Sequence, residues 1–247
     1  MILLRSTLFN LLFFSLTPLF SLLLLLVRPL GRGASWSIAK AWSRAILGLA
    51  RIICGIRVVI EGQQHFPSSP CVVVAKHQSA LETIAMPLLV PPYVWVLKRI
   101  LLYLPLFGWA LWAVDAIAIN RGNPRQALKQ MLVCGMDRLR DRWVVVFPEG
   151  TRSAPGEKRP YHAGAVMMAK KAGVALLPLA LNSGHCWPKR GFLKYPGTVT
   201  FRFLPLIDAA TVATTPRDAL MQEIEQEIEA ECGALSADFL SRFPPQF

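Results

Sequence analysis

Residues 72–87, VVVAKHQSALETIAMP, contain the pattern that decides the fold of this chain. The run VVVA predicts a short strand that is buried on both faces, as in a parallel sheet. A turn and a helix are expected to follow it. His77 and Glu82 come directly after the strand, and a buried strand needs neither an imidazole nor a carboxylate where it ends. The two residues are therefore candidates for a catalytic pair.

Six further segments also predict short strands, and they begin at residues 56, 93, 114, 143, 174 and 198. Helical segments lie between several of them. One helix is expected to begin with Asn123 as its N-cap, another covers about 163–171, and the last begins at Thr215–Pro216. This alternation predicts an α/β fold with a mostly parallel or mixed sheet of about seven strands flanked by helices. The last helix carries glutamates at 223, 225, 227, 229 and 231, and their spacing favours a solvated surface helix.

Residues 6–27 contain no charged side chain and predict an apolar membrane helix. Because Pro18 lies near the middle of this segment, a kinked helix and a re-entrant helix are alternatives to a straight one. A cleaved signal peptide is the alternative, but no small-residue cleavage site follows the segment. Arg28 and Arg32 follow it and only Arg5 precedes it, so the positive-inside rule places the rest of the chain in the cytoplasm.

A second helix, over residues 34–56, has a basic and an apolar side. The basic side carries Lys40, Arg44 and Arg51, and the apolar side carries Ile38, Trp42, Ile46, Leu49 and Ile53. This pattern predicts a helix that lies in the membrane interface, and an ordinary helix packed on the core is the alternative. The chain is accordingly divided into an N-terminal membrane anchor, residues 1–55, and a second domain, residues 56–247.

The net charge of +12 suits either anionic lipid headgroups or nucleic acid. The basic residues are spread over many segments rather than gathered beside exposed aromatic side chains, which argues against nucleic acid. The apolar N-terminal segment favours a lipid bilayer. The five scattered cysteines predict neither a disulfide framework nor a zinc site, and they fit a reducing compartment.

Polar residues follow three of the predicted strands at the point where each strand ends. His77 and Glu82 follow the first, Asn120 and Arg121 follow the second, and the loop FPEGTRS, residues 147–153, follows the third. Ligands of open α/β sheets bind at the carboxyl ends of the strands. The sequence therefore predicts one shared cleft.

His77 has the chemistry of a general base, because a neutral imidazole accepts a proton near pH 7. Glu82, from inside the following helix, is predicted to orient the ring. The chain has no G-x-S-x-G elbow, and Ser79 is too close in sequence to meet the imidazole. Cys186 beside His185 is an alternative thiol nucleophile. A substrate hydroxyl that His77 deprotonates is the simpler solution, and it describes acyl transfer rather than hydrolysis.

The loop FPEGTRS has the features of an anion site. Gly150 lets backbone amides approach an anion, Thr151 can donate a hydrogen bond, and Arg152 can grip a phosphate through two parallel bonds. Lys98 and Arg121 add cationic side chains from neighbouring strand ends. An ordinary turn with solvated arginines is the alternative.

Together these blocks resemble the glycerolipid acyltransferase superfamily, and most closely its bacterial 1-acyl-sn-glycerol-3-phosphate (lysophosphatidic acid) acyltransferases. Four blocks match in order between residues 56 and 205: KHQSALE, LKRILLYLPLFGWAL with AIAINR, FPEGTRS, and LLPLAL. The resemblance implies transfer of a fatty acyl group from a thioester to the sn-2 hydroxyl of lysophosphatidic acid, giving phosphatidic acid. It implies no metal or bound cofactor, with acyl-coenzyme A or acyl carrier protein as the co-substrate.

The resemblance also assigns roles to individual residues. His77 becomes the general base and Glu82 its partner, and Pro178 would line the acyl channel. The glycerol phosphate would be held by Lys98, Arg121, Glu149, Gly150, Thr151 and Arg152. The family's membrane-embedded helical pair agrees with residues 6–53. The enzyme is expected at the bacterial inner (cytoplasmic) membrane, with an acyltransferase domain over residues 56–247 on the cytoplasmic face.

Two residues depart from the family's usual pattern. Glu82 stands where Asp is usual, and Lys76 stands where Asn is frequent. A cation at Lys76 would favour neutral imidazole at His77. Two alternatives remain: an acyltransferase for another acceptor, such as a lyso-ornithine lipid or glycerol 3-phosphate, and a non-catalytic membrane-anchored protein that binds anions or lipids.

Overall fold

A single mixed sheet lies at the centre of the computed structural model, which describes residues 1–120 and 122–243. Within these residues its strands are β1 (Ile56–Glu61), β2 (Val72–Ala75), β3 (Tyr93–Lys98), β4 (Ile117–Ile119), β5 (Trp143–Val146), β6 (Leu176–Leu181) and β7 (Gly197–Phe203). The spatial order is β1-β7-β6-β2-β5-β3-β4. Neighbouring strands pair in parallel except β6 and β7, which are antiparallel. The seven predicted strands and the mixed sheet are confirmed.

Helices cover both faces of this sheet. They are α1 (Ile2–Val27), α2 (Arg32–Cys54), α3 (Leu81–Leu89), α4 (Phe107–Ala113), α5 (Pro124–Arg138), α6 (Gly164–Ala172), α7 (Ala209–Thr214) and α8 (Arg217–Arg242). The first four contribute to the core on one face, and the last four to the core on the other. The predicted cap of α5 is present, since the Asn123 side chain accepts a hydrogen bond from the backbone N–H of Gln126 at 3.1 Å.

Helix α1 buries four of its polar side chains, Ser6, Asn10, Thr17 and Ser21, and exposes many of its apolar ones. Asn10 donates a hydrogen bond to the carbonyl of Phe192, and Thr17 accepts one from the indole of Trp42. The outward face carries large exposed side chains, among them Leu4, Leu11, Phe14, Leu19 and Leu26. This is the inverse of a soluble surface helix, whose polar face meets water. By length and composition α1 can cross a membrane, and its outward face suits membrane association.

Helix α2 is packed more deeply than its sequence pattern predicts. It contacts α1, α3 and β1, and Ile46 on its apolar side is completely buried. Trp42 on the same side bonds to α1. Arg44 and Arg51 are exposed. The structure therefore favours the alternative in which the apolar side of α2 packs within the protein instead of facing lipid.

The prediction that α8 is a solvated surface helix holds only for its outer side, where Glu223 and Glu227 are exposed. Its residues 220, 224, 228 and 232 repeat every four positions, and all four side chains are buried in the core beneath the sheet. The glutamates are also not all solvated. Glu229 forms an ion pair with Lys76, and Glu231 pairs with Arg202. The even spacing of the glutamates concealed this apolar stripe.

Candidate active site

The carboxyl ends of adjacent parallel strands assemble one cleft. His77 follows β2, residues 147–153 follow β5, and Lys98 ends β3, and these three strands are neighbours in the order β2-β5-β3. The cleft has a volume of about 410 Å³, and five predicted site residues line it: His77, Lys98, Gly150, Thr151 and Arg152. The predicted cleft is therefore present for His77 and the loop 147–153, whereas Asn120, which follows β4, does not line it.

The loop after β5 holds His77 in place. The imidazole stacks on the ring of Phe147, with 4.0 Å between the ring centroids and 20° between the planes. The backbone N–H of His77 donates to Glu149 Oε2 at 3.0 Å, and its carbonyl accepts from the backbone N–H of Ser153 at 2.8 Å. These contacts fix both the main chain and the ring of His77. Ser153 belongs to the FPEGTRS motif, but sequence reasoning gave it no role.

Glu82 lies behind His77 and is completely buried. Its Oε2 is 3.9 Å from His77 Nδ1, which is longer than a direct hydrogen bond. Shorter contacts go to the turn: the carboxylate accepts the backbone N–H groups of Gln78 and Ser79 at 2.8 and 2.9 Å. It also accepts the hydroxyl of Ser183, a residue that sequence reasoning missed. Glu82 thus fixes the turn that carries His77 and places a negative charge near its ring.

The pKa of Glu82 is raised to about 7 because burial penalises the carboxylate, although the hydrogen bonds from Ser183, Gln78 and Ser79 act in the opposite direction. A carboxyl group with this pKa is charged above pH 7 and takes up a proton as the pH falls through about 7. The negative charge beside His77 is therefore present on the alkaline side and lost on the acidic side.

Lys76 does not lie beside the imidazole. Successive side chains at the end of a strand point to opposite faces of the sheet, and Lys76 is buried on the face away from His77. Its Nζ is 2.9 Å from Glu149 Oε1 and 2.5 Å from Glu229 Oε1. Burial lowers the pKa of Lys76, but the hydrogen bonds to Glu229 and Glu149 outweigh this and raise it. The ammonium group of Lys76 is thus paired with two carboxylates instead of facing the ring, and its effect on the pKa of His77 stays a prediction.

Among the predicted site residues that the structure describes, Glu82, Glu149 and Pro178 do not line the cleft. Glu149 is 5% exposed, and its two oxygens accept from Lys76 and from the His77 backbone, so it supports His77 from behind. Pro178 is buried within β6, paired with Val74 of β2, and does not line the cleft as far as the structure describes it. Arg121 lies outside the described residues.

The alternative nucleophile Cys186 is poorly suited to that role. Its side chain is completely buried, and burial raises the pKa of its thiol to about 12. A thiol is reactive as the thiolate, so a group that stays protonated and enclosed cannot attack a substrate. Among the described residues, no three His, Cys, Asp or Glu side chains are grouped as metal ligands.

An apolar cavity adjoins the cleft, and sequence reasoning missed it. The cavity lies among α1, α2, α3 and α4, and it shares four lining residues with the cleft: Thr83, Trp95, Phe107 and Leu111. Leu24 of α1 and Trp42 of α2 form part of its wall. Side chains from four helices and Trp95 of β3 assemble this cavity, so no single motif could have indicated it.

Comparison with known proteins agrees with this architecture. A family model described as acyltransferase matches residues 57–182. The 1-acyl-sn-glycerol-3-phosphate acyltransferase of Pseudomonas aeruginosa is 40% identical over 194 residues, which are 78% of this chain and 74% of that protein. The alpha form of 1-acyl-sn-glycerol-3-phosphate acyltransferase from Mus musculus is 34% identical over 180 residues, covering 71% of this chain and 62% of that protein.

The crystal structure of PlsC, the 1-acyl-sn-glycerophosphate (LPA) acyltransferase from Thermotoga maritima, has the same fold. The TM-score is 0.80 at 22% sequence identity, and the match covers 96% of this chain and 98% of that one. The family model includes His77, Glu82 and the loop 147–153, which are the elements that build the cleft. The comparisons confirm the resemblance: this chain belongs to the acyltransferase family, together with its 1-acyl-sn-glycerol-3-phosphate acyltransferase relatives.

Proposed function

We propose that this acyltransferase moves a fatty acyl group from a thioester to the sn-2 hydroxyl of lysophosphatidic acid, giving phosphatidic acid. One observation carries the proposal: His77 shares a cleft with Lys98, Gly150, Thr151 and Arg152. A base beside a cationic loop suits a hydroxyl that lies next to a phosphate. Relatives named for this acceptor support the same assignment.

In the proposed mechanism His77 acts as general base. As the sn-2 oxygen attacks the thioester carbonyl, the imidazole takes the hydroxyl proton through Nε2, the nitrogen on the far side of the ring from Glu82. The tetrahedral intermediate collapses, the C–S bond breaks, and the leaving sulfur receives that proton. The negative charge of Glu82 stabilises the imidazolium formed between these steps. Coenzyme A or acyl carrier protein carries the acyl group, and the reaction needs no metal or bound cofactor.

The loop after β5 is proposed to bind the acceptor's phosphate. Gly150 has a φ of +67°, a left-handed conformation that glycine adopts without strain. This conformation turns the chain so that Gly150, Thr151 and Arg152 all line the cleft. Lys98 faces them from β3. Two cationic side chains and a tight turn match a phosphate dianion better than an uncharged headgroup.

Arg152→Ala is expected to raise the KM for lysophosphatidic acid by about 10- to 100-fold, because it removes charge-assisted hydrogen bonds to the phosphate. The KM for the thioester should change much less. Steady-state kinetics with each substrate varied in turn measure both values. Arg140→Ala, an exposed arginine beyond α5, is the matched control. An unchanged acceptor KM in Arg152→Ala would count against the phosphate role.

Glu82→Gln is expected to lower kcat by about 10- to 100-fold with little change in either KM. The amide oxygen can still accept from the turn, but the charge near Nδ1 is gone. Because Glu82 takes up a proton below about pH 7, the wild-type rate should fall on the acidic side, and the variant should lose this contribution. Measuring kcat from pH 5 to 9 for both proteins tests this. A wild-type profile in the variant would show that the carboxylate is not needed.

We place the acyl chain in the apolar cavity rather than along Pro178. The cavity shares Thr83, Trp95, Phe107 and Leu111 with the cleft. A thioester carbonyl beside His77 can therefore direct the first part of its hydrocarbon tail among α1–α4 without crossing the sheet. The cavity has a volume of about 60 Å³ and so holds only this part of the tail, whose burial contributes binding energy.

We propose that α1 attaches the enzyme to the cytoplasmic face of the inner membrane. Arg28 and Arg32 follow the apolar helix, which is the charge order of a cytoplasmic C-terminal side. Hydrogen bonds join α1 to the rest of the chain both near its start, where Ser6 accepts from Lys194, and at Thr17. A helix held along its length favours immersion in one leaflet over a separate span.

The test of the proposed function is a direct assay of the detergent-solubilised protein. Lysophosphatidic acid and an acyl thioester are supplied, and phosphatidic acid and released thiol are measured. Formation of both supports the proposal. Thiol release only with a lyso-ornithine lipid or glycerol 3-phosphate would show that the acceptor is wrong. No thiol release with any acceptor would favour a non-catalytic lipid-binding protein.

A further inference from the structure

Large apolar side chains are exposed on the segment between β3 and the end of α4. Ile100 is 65% exposed, Tyr103 68%, Trp109 53% and Trp112 66%. We call these four residues the aromatic rim. Single exposed apolar residues are ordinary, but a group that includes two indoles and a phenol on a short segment indicates a binding surface.

The aromatic rim lies at the mouth of the cleft. Residues 99–103 form a short 3₁₀ helix, and Ile100 and Leu101 within it line the cleft beside His77. This turn packs closely on α4, because a Cβ at Gly108 would lie only 2.3 Å from the carbonyl oxygen of Leu102. Trp109 and Trp112 are three positions apart on α4, so they project from the same face of that helix.

The rim is continuous with the apolar surface of α1. Leu24 of α1 packs with Ala110 and Ala113 of α4, so the outward faces of the two helices lie side by side. Lys98 and Arg99, both exposed, border the rim at its start. Trp and Tyr are enriched where a bilayer meets water, and basic side chains attract anionic headgroups there. The combination fits a lipid surface.

We propose that the aromatic rim is a second membrane contact, inserted at the level of the lipid headgroups, through which the mouth of the cleft opens onto the bilayer. A lysolipid acceptor then reaches His77 sideways from the membrane without passing through water. The identity of the acceptor rests on the proposed function, but the membrane contact itself does not. The rim therefore has a test that requires no catalysis.

The first experiment measures tryptophan fluorescence in vesicles of phosphatidylglycerol and phosphatidylethanolamine with brominated acyl chains. Bromine quenches indoles that enter the bilayer. The full-length double variant Trp109→Phe/Trp112→Phe should lose a quenchable part of the wild-type emission. Trp143→Phe, which removes an indole buried in the sheet core, should leave the quenchable part unchanged. Equal quenchable emission in the double variant and the wild type would overturn the proposal.

The second experiment compares two acceptors in the double variant Trp109→Ser/Trp112→Ser. With long-chain lysophosphatidic acid embedded in vesicles, kcat/KM should fall about tenfold, because two interfacial anchors are lost. With a short-chain lysophosphatidic acid dissolved as monomers, kcat/KM should stay at the wild-type value. Val133→Ser, an exposed apolar residue of α5 on the other face of the sheet, is the control and should affect neither.

The remaining outcomes are also decisive. An equal loss with both acceptors would overturn the membrane contact. If that loss occurs with acyl carrier protein but not with coenzyme A as the donor, it would assign the rim to a protein partner. If the wild type acylates neither acceptor, the proposed function fails, and the quenching measurement alone decides whether the rim enters the bilayer.

Discussion

His77→Ala is expected to lower kcat by about 10²–10⁴-fold, the usual contribution of a positioned general base. The fold of the site should survive the change. The contacts of His77 with Glu149 and Ser153 use its backbone N–H and carbonyl groups, which alanine retains. The variant loses the ring that stacks on Phe147 and its place in the cleft. The loss should therefore appear in kcat, with the KM values close to those of the wild type.

The measurement is thioester-dependent formation of phosphatidic acid by the wild type and His77→Ala side by side, with circular dichroism to compare their folding. His65→Ala is the matched control, because His65 lies in a 3₁₀ turn after β1, away from the cleft. Wild-type turnover by His77→Ala would remove the general base from the mechanism. Loss of activity together with loss of the circular dichroism signal would instead assign His77 a structural role.

The positions of the strands and of the cleft could be predicted because they depend on local patterns. A run such as residues 72–75 is apolar enough to be buried on both faces, and parallel strands end at one edge of a sheet. His77 and the loop 147–153 then follow from their places in the sequence. The order of the strands in the sheet is a long-range property and did not follow.

Three features were predicted wrongly or missed from the sequence, and each has a physical reason. Lys76 was expected beside His77, but neighbours in an extended chain point to opposite faces. The inward face of α8 was hidden because Glu229 lies among solvated glutamates, and only the packed structure shows that it meets a buried ammonium group. The apolar cavity is bounded by side chains such as Leu24 and Trp42, and they become neighbours only when α1 and α2 pack together.

Lys76→Met is expected to destabilise the protein by about 3–5 kcal/mol, because it breaks a buried ion pair and leaves charge without compensation. Lys76 is 1% exposed and bonds to both Glu149 and Glu229. Methionine fills a similar volume, so the loss reports charge and not a cavity. For a chain of this size the midpoint of thermal unfolding should fall by about 6–20 °C. Thermal unfolding followed by circular dichroism in detergent measures it.

The cause of this loss can be separated from a loss of packing. In Lys76→Met/Glu229→Gln one of the two uncompensated carboxylates becomes neutral, so part of the lost stability should return, whereas a packing defect would persist. Lys171→Met, at an exposed position on α6, should stay within about 0.5 kcal/mol of the wild type. Glu149 also accepts the backbone N–H of His77, and without Lys76 its carboxylate is free to shift. The kcat of Lys76→Met should therefore be lower than that of the wild type even at temperatures below the variant's unfolding midpoint. A fully stable and fully active Lys76→Met would show that the buried ion pair neither stabilises the fold nor positions the base.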